Sequence, residues 1–333
     1  MRPKFDQLYW QSPLEAFFGL IENVQNVRQE VQGHAEAGWL QYVFDRAILL
    51  AKETHCLLSE GYPDGAMARA RCLAELTVCA FFINAAAVKE DKNIGQKYID
   101  HTWVQKRKFF EDLLAYHNFA KKTPGYTEGM EKEHDLIKTQ LGGIIKKIEE
   151  FKKKYGDDFS KAEFGWAYTA VRKRNEASKK TIVKCGSSKK QCCKEICCDN
   201  PCCKELRVTL IDLINAIEAK PLLGYIFALG NQAVHAGALP SIIVFNDPSL
   251  ENRLSCFGSV RQGLYVPLKV VGLCLMVILS LTYDITKEEK IKATMQRHND
   301  AYYKIWPAIE AAERKAIEEY KEILVQQGLR KRE

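Results

Sequence analysis

Two polar pairs at four-residue spacing, Arg71 with Glu75 and Asn231 with His235, are the side chains of this sequence best placed to do chemistry. Residues four apart share one face of a helix, and each pair interrupts an otherwise apolar stretch. From Cys72 to Ile83 only Glu75 and Thr77 break the run, and from Pro221 to Asn246 no residue carries a formal charge. A buried Glu or His without a partner costs several kcal/mol or changes its protonation state. Polar groups kept in such segments must therefore meet each other or a ligand. His235 is the one side chain of its stretch that titrates near neutrality. A general acid or base of that kind contributes roughly 10²–10⁴ in rate. Asn231, one turn earlier, would orient a phosphate or the imidazole. The alternative is structural: Arg71 and Glu75 as a buried ion pair tying two helices together, and His235 as a satisfied core histidine.

The second chemical feature is a cysteine-rich segment. Seven of the twelve cysteines lie between Cys185 and Cys203, and six of them form the doublets Cys192-Cys193, Cys197-Cys198 and Cys202-Cys203. Seven thiols suffice for one tetrahedral Zn²⁺ site or a small thiolate cluster. The doublets lack the two-residue spacing of zinc ribbons, so a redox-sensing arm and a plain cysteine-rich insertion stand beside the metal reading. Nearby lysines should lower the thiol pKa values and favour thiolate.

The charge is concentrated in one place. Arg172, Lys173, Arg174, Lys179, Lys180, Lys184, Lys189, Lys190 and Lys194 face a single acid, Glu176, so this segment carries +8 while the whole chain carries +7. The remainder is close to neutral, and attraction for phosphate is expected to be local. RNA contact is expected on Arg172 through Lys190, against the alternative of a solvated surface: no aromatic stacking residue lies inside the run, and Trp166 and Tyr168 are the nearest. No phosphate-binding loop, dinucleotide glycine pattern, nucleophile elbow or His-Glu-x-x-His motif occurs.

The elements that must position these groups read as helices almost throughout. Ser12-Pro13-Leu14-Glu15 has the form of a helix start. A helix over about 35–58, the breaker Gly61-Tyr62-Pro63-Asp64-Gly65 and a helix over 66–87 predict an αα-hairpin. An aromatic-rich amphipathic segment covers about 95–116. Ile137, Leu141, Ile144, Ile145, Ile148 and Phe151 mark one apolar stripe. A helix opens at Phe164-Gly165-Trp166-Ala167, and others are expected over about 206–219 and 221–236, with a short extended piece at 241–245. A buried helix follows around 270–283. Thr286 and Glu289 have capping-box spacing for a last charged helix that Pro307 should kink or divide.

The expected fold is an all-α bundle of long antiparallel helices. Its organisation is read as an N-terminal segment 1–34, a core 35–286 with an insertion at 185–205, and a C-terminal extension 287–333. Val270–Tyr283, fourteen uncharged residues, falls short of the roughly 20 a membrane span needs. No secretory signal is read in Met1-Arg-Pro-Lys-Phe-Asp-Gln. A cytoplasmic protein with no membrane association and reduced thiols is therefore expected.

The combination Gly61…Ala66…Arg71-x-Leu73-x-Glu75, Phe164-Gly165-Trp166-Ala167 and Tyr225…Asn231-x-x-x-His235-Ala236 resembles an uncharacterised prokaryotic family, domain of unknown function 5677, over roughly residues 40–283. That family implies no activity. More distantly the chain is similar to HEPN-type helical domains, many of them RNA-cleaving toxins. The resemblance implies an RNA partner, a homodimer whose protomers share the site, and chemistry on an arginine, an asparagine and a histidine. Asn231 and His235 match, but Gly230 stands at the arginine position, so the cation would have to come from Arg71 or Arg69.

Overall fold

The computed structural model describes residues 10–32, 34, 38–161, 163–177, 208–217, 224 and 264–326. Among them every regular element is helical and none is a strand, so the all-α expectation holds. The helices are α1 (Gln11–Gln25), α2 (Arg28–Gln32), α3 (Gly38–Ser59), α4 (Pro63–Lys89), α5 (Ile94–Asp100), α6 (Thr102–Ala120), α7 (Glu128–Tyr155), α8 (Tyr168–Ala177), α9 (Leu210–Asn215), α10 (Tyr265–Thr286) and α11 (Glu289–Gln326). Two 3-10 turns, Asp157–Ser160 and Gly165–Ala167, lie between α7 and α8. The helix expected at 221–236, the extended piece at 241–245 and the segment Cys185–Cys203 lie outside the described residues.

Contacts divide the chain into two compact units, Met1–Phe81 with Ala219–Glu333, and Phe82–Glu218. In the first, α1 packs on α3 and α11, and α10 packs on α3 and α11. The reason is the composition of α10. Pro267, Leu268, Val270, Val271, Cys274, Leu275, Ile278, Leu279 and Leu281 are all buried, so the helix is apolar on more than one face and needs neighbours around it. Its buried threonines serve the backbone: Thr282 and Thr286 hydroxyls donate to the carbonyls of Ile278 and Thr282, at 2.7 and 2.9 Å. Gly272 lets α11 close in, because a β-carbon there would overlap the Tyr302 ring. On the same stretch of α11, His298 is fully buried and its Nε2 lies 3.3 Å from the Gly272 carbonyl.

Helices α3 and α4 form the expected hairpin. Leu57 lies against Gly65, and the Tyr62 N–H donates to the Leu57 carbonyl at 2.8 Å. Helices α4 and α10 are both long and apolar enough to cross a membrane, and 61% and 67% of their apolar windows are buried inside the fold.

The second unit is built on aromatic rings. Phe159 meets His101, Phe151 and Tyr155 at centroid distances of 5.4, 5.8 and 5.2 Å. Trp166 meets Phe82 and Tyr98 edge-on at 6.0 and 5.1 Å. Gly165 is dictated by crowding: a β-carbon there would overlap the Phe159 carbonyl oxygen, which belongs to the neighbouring 3-10 turn. Helices α6 and α7 pack as a hairpin. Helix α7 starts at Thr127, whose hydroxyl accepts from Met130 N–H at 3.3 Å, and stops at Gly156, where φ is 92°.

Several local expectations need correction. Helix α1 is entered from Trp10, not Ser12, because Trp10 is buried and its carbonyl accepts from the Leu14 N–H. Pro13 still sits in the first turn, where its missing N–H costs nothing. The aromatic segment is two helices, divided at the buried His101. Ile145 falls off the α7 stripe and is exposed, whereas His134 lies on it. Thr286 closes α10 instead of opening α11, with Lys287 in the left-handed region at φ 57°. Helix α11 runs through Pro307 without being divided.

Two expectations can be measured. Gly165→Ala and Gly272→Ala should each lower stability in denaturant by about 1–3 kcal/mol, since neither site has room for a methyl group. Burial holds the imidazoles of His298 and His55 below their ordinary range, each opposed by a carbonyl, Gly272 for one and Leu14 for the other. The unfolded chain therefore takes up these protons first as pH falls. Stability from these groups is complete above about pH 6.5 and declines below it. The melting temperature of His298→Gln should fall less steeply between pH 6.5 and 5 than that of the parent.

Candidate functional site

Arg71 and Glu75 lie on α4 as their spacing predicts. The Arg71 Nε–H donates to Glu75 Oε1 at 3.0 Å, with 18% and 37% of the two side chains exposed. Around them Leu73, Ala74, Leu76, Thr77 and Val78 are buried, and Cys72 is exposed. The pair is therefore half-covered rather than fully buried, and its four-residue spacing lets the two charges meet on their own helix. Arg69, the other cation considered for the site, has its Nε 3.4 Å from Glu53 Oε2 on α3, and its side chain is 48% exposed. Thr77 donates its hydroxyl to the Leu73 carbonyl at 2.8 Å. Beside it, burial pushes the Cys274 thiol up to about 12, so this cysteine is a protonated core residue.

Asn231 and His235 lie outside the described residues. So do Lys179, Lys180, Lys184, Lys189 and Lys190 of the basic run, and all of Cys192, Cys193, Cys197, Cys198, Cys202 and Cys203.

The start of the basic run is described and sits on α8. Arg174 is engaged on three sides. Its Nε and Nη2 donate to Glu90 Oε1 and Oε2 at 2.9 and 3.3 Å, and its Nη1 donates to the Ala216 carbonyl at 2.5 Å. The guanidinium also lies over the Phe82 ring, 5.6 Å from its centroid. With 16% and 12% of the side chains exposed, Arg174 and Glu90 form a largely buried, two-pronged ion pair. Lys173 donates to the Glu90 carbonyl at 2.9 Å, just past the end of α4, where a cation is favoured. Arg172 is exposed. Of the α8 cations, Arg174 and Lys173 are engaged on Glu90 within their own unit.

This geometry also explains the Phe164-Gly165-Trp166-Ala167 motif. Phe82 carries the Arg174 guanidinium on its ring and meets the buried Trp166 edge-on. Sequence reasoning passed over Glu90 because its partner is 84 residues away, beyond any helical spacing. It also passed over a histidine pair on the α6–α7 hairpin, His117 and His134, whose only sequence signal is a Glu131-x-x-His134 spacing.

The two ion pairs should respond very differently to truncation. Arg174→Ala or Glu90→Ala leaves a buried charge without its partner and should cost about 3–5 kcal/mol in equilibrium unfolding. Arg71→Ala removes a half-open pair within one helix and should cost about 1 kcal/mol or less.

No curated protein and no solved structure matches this chain. One family does, over residues 38–243, which is more than half of the sequence and includes both polar pairs, the Trp166 motif, and the basic and cysteine-rich segments. The chain belongs to that family, the family of unknown function DUF5677.

Proposed function

We propose that this protein is a cytoplasmic, HEPN-like helical protein that cuts RNA, as a homodimer, with a site made of Arg71, Glu75, Asn231 and His235. The observation that carries the reading is the Arg71–Glu75 pair, a charged pair left half-open on a helix whose neighbouring positions are buried. Partial burial makes two charges here costlier than on an open face, which is what favours a use beyond helix stability. Glu75 holds Arg71 at Nε and so fixes the plane of the guanidinium. In that arrangement Arg71 replaces the cation that Gly230 cannot supply. Asn231 orients the phosphate, and His235 takes the 2′-hydroxyl proton as O2′ bonds to phosphorus; the P–O5′ bond breaks and the leaving 5′-oxygen takes a proton from water, giving a 2′,3′-cyclic phosphate and a 5′-hydroxyl. Arg172 and the lysines from Lys179 to Lys190 add local attraction for phosphate.

The test is one assay and one melting curve on the same variants. His235→Ala and Arg71→Ala should each slow cleavage of single-stranded RNA by about 10²-fold or more, with helical content unchanged. A parent protein that does not cut RNA, together with a His235→Ala variant that only melts earlier, would overturn the reading.

A second reading rests on the three cysteine doublets, which suit a non-enzymatic binding protein with a Zn²⁺-holding or redox-sensing arm. Purified protein should then carry at least one equivalent of zinc by elemental analysis. Replacing Cys192, Cys193, Cys197 and Cys198 by Ser should remove it.

A further inference from the structure

Where α6 turns into α7, two helices bring together an unusual set of titratable groups. Glu131 and His134 stand three apart on α7, hence on one face, the spacing by which helical proteins present a carboxylate and an imidazole to one ion. Asp135 is the next residue. One donor atom from each of Glu131, His134 and Asp135 lies within 4.8 Å of the others. Donors around a tetrahedral Zn²⁺ sit about 3.3 Å apart, and the side chains of Glu131 and Asp135 are 46% and 72% exposed, so both can close on an ion.

A second observation comes from α6. His117 is only 2% exposed, its Nε2 lies 3.8 Å from Glu133 Oε2, and its Nδ1 has no hydrogen-bond partner. A carboxylate near one ring nitrogen and a buried, unpartnered nitrogen on the other give His117 the two neighbours that a metal-ligating histidine uses once the carboxylate closes to hydrogen-bond distance. The His117 ring stands 6.3 Å from that of His134. Imidazoles sharing one ion sit about 5–6 Å apart between centroids, so a small approach of the rings suffices.

A cation already occupies this position. Lys121 Nζ donates to Glu131 Oε1 at 2.7 Å and lies 3.4 Å from His134 Nδ1. His134 Nδ1 is also 3.3 Å from Asp135 Oδ1. A neutral imidazole nitrogen cannot both accept from the lysine and donate to the aspartate. Exchange of the ammonium for a metal ion removes this conflict, since Nδ1, Glu131 and Asp135 then all act as donors of electron pairs.

The geometry points to a divalent transition-metal site at the tip of the α6–α7 hairpin, with Glu131, His134 and Asp135 from α7 and His117 from α6 as ligands, and Lys121 as the resident cation that the metal displaces. Bound there, Zn²⁺ clips the two helices together at their connection. The site is separate from the cysteine doublets and does not depend on RNA cleavage.

The test is a calorimetric Zn²⁺ titration of the full chain carrying Ser at Cys185, Cys192, Cys193, Cys197, Cys198, Cys202 and Cys203 and at the exposed Cys56 and Cys72, which removes the cysteine-rich segment and the exposed thiols as competing ligands. One equivalent should bind and raise the melting temperature. His134→Ala, His117→Ala and Asp135→Asn should each weaken binding by about 10- to 100-fold. Lys121→Met should strengthen it, because the competing ammonium is gone. Absence of binding in this background, or binding that His134→Ala and Asp135→Asn leave unchanged, overturns the proposal. Should the serine background fail to fold, the unaltered chain is titrated with Mn²⁺, an ion that thiolates take up poorly. Its paramagnetic signal must then show the same dependence on His134, Asp135 and Lys121, or the proposal falls.

Discussion

Helix α10 buries most of its residues and leaves only a narrow stripe that includes Ser280 and Asp284 to water, and the first unit is arranged around that constraint. Helices α1, α3 and α11 pack against it, and its threonines turn their hydroxyls back onto its own backbone. Burial of this kind is stabilising by roughly 25 cal/mol for each Å² of apolar surface. It also has a side effect on chemistry. Groups trapped beside such a helix lose their charged forms, which is why Cys274 stays a thiol and His298 resists protonation. Reactive groups must sit at the margin of this core, and Arg71, Glu75 and Cys72 do.

The second unit solves a different problem. It is richer in charge and has fewer long apolar runs, and its core is a set of rings held at angles to one another. There the Arg174–Glu90 pair joins α8, the end of α4 and the residue after α9 through one guanidinium. A charge pair so placed is a poor source of stability when set against apolar residues of equal size. Its value lies in geometry, since a planar fork accepts one arrangement of its three acceptors. The basic run thus contains, at Arg174, a residue that serves the fold, two positions after the exposed Arg172.

What could be read from the sequence followed the strength of the periodic signal. The apolar run of α10 and most of the stripe on α7 came from a pattern within one helix and were found there, while α4 starts at Pro63, inside the expected breaker. Misreadings occurred where a tertiary contact decided a local matter. Burial of Trp10 moved the start of α1, contact with Phe159 turned His101 into a break, and the left-handed Lys287 made Thr286 an ending. The candidate site divided along the same line. Arg71 and Glu75 were legible as a pair because their spacing is local, but their half-open position was not. Glu90 and Arg174 carry no local signal at all, because only folding brings them together.

The seat of Tyr302 against Gly272 has one more implication. Gly272 is the only glycine in α10, so the ring has a single place along that helix where it fits. Sliding α11 by one turn, about 5.4 Å, would drive the ring into a side chain. These two consecutive helices are therefore held in axial register by that contact. A piston stroke of the 38-residue α11 along α10 would first have to unseat this ring.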